Sequence, residues 1–201
     1  RAVTGLERRE RREVDDVTER RGEARPAAVS EETKQAGEVR ARWAWTEPSV
    51  WTERMLTALE QGVKGGKWFS LMDKGYALAN LWTAFQEVQA NGGAAGVDGV
   101  TVEMFERHLV ENLKQLAQEL KDGSYRPQAV RRVEIPKPGS NEKRPLGIPT
   151  VRDRVVQAAL RHVMEPIFEQ EFAEHSYGFR PNRGAKDALS RVDHLLRDGF
   201  V

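Results

Sequence analysis

Residues 131–150 read RRVEIPKPGSNEKRPLGIPT, and the fold class turns on them. Val133 and Ile135 fall on one side of an alternating run and Arg132 and Glu134 on the other, the period-two pattern of a half-buried strand. Pro136, Pro138, Gly139, Ser140 and Asn141 make a turn, and Leu146-Gly147-Ile148 between Pro145 and Pro149 reads as the returning strand. Prolines at strand ends cannot donate to a ladder, which marks an edge hairpin. Lys137 opens the turn and Arg144 closes it, so strand pairing lets both cations project from one end of the ribbon. An ammonium and a planar guanidinium so placed suit a polyphosphate, at about 1.5–3 kcal/mol for each charge-assisted hydrogen bond. They also suit a plain solvated turn.

Helical patterns flank the hairpin. Upstream, a short helix is expected over 51–59. Leu78, Leu81, Trp82, Phe85 and Val88 then form an amphipathic stripe that Asn91-Gly92-Gly93 closes. Another helix carries Phe105, Leu109, Leu113, Leu116 and Leu120 on one face and ends at Asp122-Gly123. Downstream, Thr150 followed three residues later by Asp153 is a helix start. Val155, Val156, Ala159, Leu160, Val163 and Met164 continue it to Pro166, which breaks or kinks it before Ile167 and Phe168. The polar loop HSYGFRPNRG (175–184) leads to a last helix with Ala185, Ala188, Leu189, Val192, Leu195 and Leu196, stopped by Gly199. Several helices and one hairpin make an α+β chain.

With 201 residues and 39% hydrophobic content, the chain suffices for one globular domain or two small ones. It has no cysteine, which excludes a disulfide scaffold, thiolate-held zinc or iron–sulfur sites, and a thiol nucleophile. No window approaches the ~18 apolar residues of a membrane helix, and the first residues are charged where a signal peptide is apolar. The expectation is a cytoplasmic protein with no membrane partner. The net charge of +1 hides an uneven distribution. Residues 1 to 42 hold 11 basic and 10 acidic residues and no aromatic, the composition of a flexible charged tail, which we extend to residue 48. Residues 124 to 161 hold nine basic and three acidic residues, a basic stripe. Because the chain starts on Arg1 rather than Met, its N-terminus is read as a cut; Phe200 and Val201 read as the opening of a buried strand, so the chain is expected to stop mid-fold.

Between the two upstream helices lies NGGAAGVDGVT, residues 91–101. Its glycines mimic part of a dinucleotide fingerprint, but that motif follows a strand and this loop follows a helix. What remains is a loop of unencumbered backbone N–H groups, able to approach a phosphate or simply to turn a corner. Trp43, Trp45, Trp51, Trp68 and Trp82 either pack a core or stack on bases. Asp15-Asp16 offers Mg²⁺ two carboxylates, or is a solvated charge run. The four histidines show no metalloprotease spacing, no serine sits in a nucleophile elbow, and no apolar strand carries paired carboxylates. No catalytic residue and no metal ligand is therefore assigned.

Four blocks, WTERMLTALEQGVKGGKWFSLMDKGYALANLWTAF, NGGAAGVDGVTVEMF, YRPQAVRRVEIPKPGSNEKRPLGIPTVRDRVVQAAL and HSYGFRPNRGAKDAL, resemble in order the N-terminal side of group II intron-encoded reverse transcriptases, or maturases. The resemblance runs from about Trp51 to Val201. It implies a mostly helical fingers subdomain with a small antiparallel hairpin and an incomplete polymerase palm: a helical fingers region with a template-lid loop over 49–124, then the basic hairpin and its helices over 125–201. It further implies that Lys137 and Arg144 contact the triphosphate of the incoming nucleotide. Asn91, Gly93, Ala94, Ala95 and Gly96 would form a lid over the template. Arg126, Arg131, Arg132, Arg152 and Arg154 would line the nucleic-acid path by charge, and Arg180 is the expected functional residue of SYGFRPNRG. Asn182 stands where the family has glycine, a tolerable change because Asn also accepts positive φ.

In that family the two-metal site is completed by aspartates beyond this last helix, and none of them lies in the present sequence. The expectation is thus a fragment of an RNA-directed DNA polymerase that binds template RNA and dNTP. Mg²⁺ and a DNA primer would belong to the complete enzyme, with the missing C-terminal half supplied elsewhere or in trans; alternatives are a stand-alone RNA-binding module or an inactive remnant.

Overall fold

The computed structural model describes residues 38–62 and 71–200. Residues 1–37 of the expected tail, with Asp15-Asp16, all but the first residue of a loop that the glycines predict over Gly62 to Gly66, Trp68 and Val201 lie outside them. The element order is α1 (Glu53–Gln61), α2 (Leu71–Gly75), α3 (Leu78–Asn91), α4 (Val102–Glu106), α5 (Leu109–Lys121), β1 (Arg131–Pro136), β2 (Lys143–Ile148), α6 (Val151–Glu169) and α7 (Ala185–Arg197). The described residues are α+β, with one two-stranded antiparallel sheet among helices.

Two apolar clusters organise the helices. In the larger one, Leu81, Ala84, Phe85 and Val88 of α3 pack against Val151, Val155, Val156 and Ala159 of α6, with Val102, Phe105, Leu113 and Leu116 closing the third side. The Phe85 and Phe105 rings stack at 5.7 Å. In the smaller one, Val39, Trp43, Val50, Trp51, Leu56 and Leu59 gather on Val163. The core therefore reaches back to Val39, ahead of the boundary at residue 48, and Trp43 and Trp51 are core residues.

The expected helical stripes are right in type and wrong at three places. Leu78 begins α3 but stands 47% exposed. The helix expected to run unbroken from Phe105 to Leu120 is two helices, because His108 leaves helical geometry (φ −125°, ψ 36°). The Phe105 carbonyl there accepts from His108 N at 3.3 Å and from the Asn112 side chain at 2.8 Å, and the bend lets Phe105 and Leu113 reach one core from different directions. Downstream, Met164 is exposed although it falls on the apolar stripe of α6.

Pro166 neither ends nor divides α6, which runs through it for 19 residues. Proline has no N–H to give the carbonyl four residues back, and that carbonyl belongs to His162. The Trp51 indole N–H donates to it instead, at 2.8 Å. Next to this contact Asn80, fully buried, donates to the carbonyls of Lys74, Gly75 and Ala159. Its Oδ1 lies 2.7 Å from His162 Nδ1, and His162 Nε2 lies 2.8 Å from Glu87. α2, α3 and α6 are thus joined by a satisfied polar seam as well as by apolar contact.

Trp51→Phe keeps most of the ring but leaves the His162 carbonyl buried without its donor, and should destabilise the chain by about 1–3 kcal/mol in urea unfolding. Pro166→Ala restores a backbone N–H to that carbonyl, so the double variant should recover part of the loss; strictly additive losses would show that the indole is not replacing the proline's missing donor.

Candidate nucleic-acid interface

The hairpin register pairs Arg131 with Ile148, Val133 with Leu146, Ile135 with Arg144, and Pro136 with Lys143. The ladder runs one residue further, since Lys137 N donates to Glu142 O at 2.9 Å. Residues directly opposite share a face and faces alternate along each strand. One face therefore carries Arg131, Val133, Ile135 and Lys137 across from Ile148, Leu146, Arg144 and Glu142. Arg132, Glu134 and Lys143 stand on the other. Lys137 and Arg144 are diagonal neighbours on one face at the turn end of the ribbon, with half-buried Val133 and Ile135 behind them. Lys137 Nζ lies 2.6 Å from Glu142 on the same face.

The hairpin is anchored at its two feet. Asp153, 3% exposed in the first turn of α6, accepts through Oδ2 from the backbone N–H of Gln128 on the entering foot at 3.1 Å and from the Thr150 hydroxyl on the leaving foot at 2.7 Å. Its Oδ1 accepts from the Tyr125 hydroxyl. Burial, with the Asp153 carboxylate beside it, pushes the Tyr125 phenol well above its ordinary pKa. Thr150 in turn caps α6, its hydroxyl accepting from Asp153 N at 3.1 Å.

The same turn of α6 holds the glycine loop. Arg154 donates from Nη1 to Gly92 O and from Nη2 to Ala94 O, each at 2.9 Å. Gly92 and Gly93 take positive φ of 60° and 103°, which lets the chain reverse directly after α3. Gly96 lies against the cap itself, where a Cβ would stand 2.7 Å from the Thr150 backbone. Gly93 and Ala94 face solvent, and the N–H groups of Gly93, Ala94 and Ala95 donate to no acceptor among the described residues. The loop is both the corner and the open run of amides that its sequence allows: Gly96 makes the corner, while residues 93–95 carry the free donors. Asn91, at the C-terminal end of α3, is exposed beside it.

The expected cations divide into two sets. The side chains of Arg131 and Arg144 are exposed and make no ion pair or hydrogen bond among the described residues, and Arg132 pairs with Glu134 on the far face at 2.9 Å. The others are bound into the protein. Arg126 donates to the carbonyls of Gly123 and Tyr125. Arg152 pairs with Glu119 and lies 5.7 Å from the centre of the Tyr125 ring. Arg180 is only 8% exposed, its fork gripping Glu169 and the carbonyls of Ala173 and Ser176. It organises the loop before α7 from inside. Asn182 has φ 55°, as its place in the motif requires, and Phe179 shares that conformation with φ 56° and its ring fully in solvent. Sequence reasoning passed over Asp153 and Tyr125 as site residues; the Thr150–Asp153 spacing identified the cap, but not the reach of the carboxylate to Tyr125 and Gln128. Among the described residues, no group of three His, Cys, Asp or Glu side chains could hold a metal ion, and no helix is long and apolar enough to cross a membrane.

No protein-family model matches the chain. It is 41% identical over 161 residues to Protein YkfC of Escherichia coli (strain K12), a match covering 79% of this chain and 38% of that protein. It is 40% identical over 111 residues to group II intron-encoded protein LtrA of Lactococcus lactis subsp. cremoris, covering 55% and 18% respectively. It is 30% identical over 116 residues to the putative COX1/OXI3 intron 1 protein of Saccharomyces cerevisiae, covering 58% and 14%. The matches span less than two fifths of the length of these relatives.

Gly96→Ala forces backbone against backbone at Thr150 and should destabilise by about 2 kcal/mol or more. Gly178→Ala, where nothing lies within 4 Å and φ is not in the left-handed region, should stay within about 0.5 kcal/mol of the parent in the same thermal unfolding series. Equal effects would remove Gly96 from the corner.

Proposed function

We propose, from the premise that this chain is related to the group II intron-encoded proteins of the reverse transcriptase and maturase kind, that it forms the fingers, with the start of the palm, of an RNA-directed DNA polymerase. Its task is to grip the template RNA and the triphosphate of the incoming nucleotide. The observation that carries this reading is the hairpin register, which sets Lys137 and Arg144 on one face at the exposed end of the ribbon. Neither has a covalent role. The pair neutralises the charge that develops on a triphosphate when its α-phosphorus is attacked, an electrostatic contribution made by positioned cations.

The existing partner of Lys137 does not oppose this. An exposed ion pair such as Lys137–Glu142 is worth about 0–1 kcal/mol, whereas each charge-assisted hydrogen bond to a phosphate is worth about 1.5–3 kcal/mol. A triphosphate therefore displaces Glu142. In the glycine loop, the free N–H groups of Gly93, Ala94 and Ala95 face a strand whose phosphates they can contact without reading its sequence. Arg131 adds an exposed charge on the hairpin face, while Arg152 and Arg154 hold its surroundings in place through Glu119 and the glycine loop. Mg²⁺ would belong to the complete enzyme, and the contribution proposed for this part of the chain is charge and position. Copying RNA into DNA on a primer belongs to the complete polymerase, and a grip on intron RNA during splicing would use the same basic surface.

Two measurements test the proposal. If about three cations meet the backbone of single-stranded RNA, raising salt from about 50 to about 200 mM should weaken binding roughly 20-fold; a flat filter-binding titration would remove RNA as the partner. Lys137→Ala and Arg144→Ala should each weaken nucleoside triphosphate binding about tenfold, and unchanged affinity in both would end the triphosphate assignment.

A further inference from the structure

We infer that Asp153 is a positioning residue for the basic hairpin, its carboxylate fixing where Lys137 and Arg144 stand relative to the glycine loop. The inference rests on the triphosphate-grip reading above and adds a residue to it. Its basis is where the hairpin gets its rigidity. In the described sheet the two strands pair only with each other, and most of their residues are exposed. Packing along the ribbon therefore does little to aim it, and its direction is set at the feet.

Both feet meet on Asp153. The entering foot is held through Tyr125 and Gln128 N, and the leaving foot through Thr150. Three donors converge on one buried carboxylate from the two feet of the hairpin. A carboxylate accepts from all three as charge-assisted bonds; an asparagine with its oxygen toward Gln128 and Thr150 turns its NH₂ to Tyr125, whose hydroxyl must then reverse and accept, and every bond loses its charge assistance. The next residue, Arg154, carries the glycine loop, so hairpin and loop take their positions from adjacent residues of one helical turn. Leverage gives the arrangement its importance. A strand of six residues spans about 20 Å, so a tilt of about 10° at the foot moves the tip by about 3.5 Å. That displacement exceeds the whole range of a hydrogen bond and takes a cation off its phosphate oxygen.

The test uses the full chain and a fluorescent nucleoside triphosphate, with inorganic tripolyphosphate as competitor. Lys137→Ala, Asp153→Asn and Tyr125→Phe are compared, with folding followed by thermal unfolding and hairpin rigidity by hydrogen exchange over residues 131–148. Asp153→Asn should lower triphosphate affinity about tenfold and speed exchange of the hairpin amides. Tyr125→Phe, which leaves two donors on the carboxylate, should lose about three- to fivefold. In a Lys137→Ala/Arg144→Ala background Asp153→Asn should add nothing, because it acts through those cations. If Lys137→Ala weakens binding and folded Asp153→Asn does not, Asp153 has no positioning role and the grip stands. If Asp153→Asn does not fold, unchanged affinity and exchange in Tyr125→Phe overturns the inference in its place. A full tenfold loss on top of the double-alanine background likewise overturns it, since that marks general loosening. If Lys137→Ala itself changes nothing, the grip reading falls, and this inference with it.

Discussion

The carboxylate of Asp153 is the constraint on which the functional half of the molecule depends. It takes hydrogen bonds from Tyr125, Gln128 and Thr150, and its neighbours extend its reach: Arg152 to Glu119, Arg154 to the glycine loop, Thr150 to the backbone at Gly96. Thr150, Arg152, Asp153 and Arg154, at the start of α6, thereby orient two elements that touch little else. The turn can do this because its own helix is fixed from the opposite side, where Val151, Val155 and Ala159 are buried against α3. Apolar packing immobilises the helix, and polar contacts at its first turn pass that rigidity on to a surface that has no core of its own.

Much of this was legible in the amino-acid order. The alternation through Val133 and Ile135, the prolines at the strand ends and the turn cluster give the hairpin and its faces, because a side-chain period of two leaves only one sensible register. The cap at Thr150 and the glycine stop after α3 follow from local chemistry in the same way. The failures came where a local rule met tertiary packing. The stripe from Phe105 to Leu120 has helical periodicity, yet the chain bends at His108 so that both ends of it serve one core. Pro166 carries a strong helix-breaking propensity, but a donor from another segment supplies what it lacks. The stripe of α7 is as amphipathic as any in the chain, yet none of its residues is buried, Leu189 and Leu196 standing 68% and 59% exposed.

The candidate site was legible in outline and opaque in its division of labour. A sequence gives each arginine the same charge and says nothing about which carbonyls or carboxylates lie within its reach. The structure separates Arg131 and Arg144, exposed on the hairpin, from Arg126, Arg152, Arg154 and Arg180, each bonded to particular protein oxygens. Arg180 is the clearest case: its motif marks it as important, and its importance in this structure is to hold the loop that carries Asn182 and Phe179 in left-handed backbone. Asp153 was visible only as a helix cap, because the partners that make it more than that are 25 and 28 residues distant in the chain.

The contact between Trp51 and the helix around Pro166 also bears on how the chain is made. Synthesis proceeds from the N-terminus, so the indole leaves the ribosome more than a hundred residues before the His162 carbonyl that it satisfies. Until then, Val39 to Leu59 have lost their main apolar partner on α6, and α6, once it emerges, carries an unbonded carbonyl at its middle. The two segments complete each other and neither is finished alone, which makes their docking a late, long-range step of assembly. A ribosome stalled anywhere in the intervening stretch would hold an aromatic-rich segment without Val163 and Ile167 to pack against.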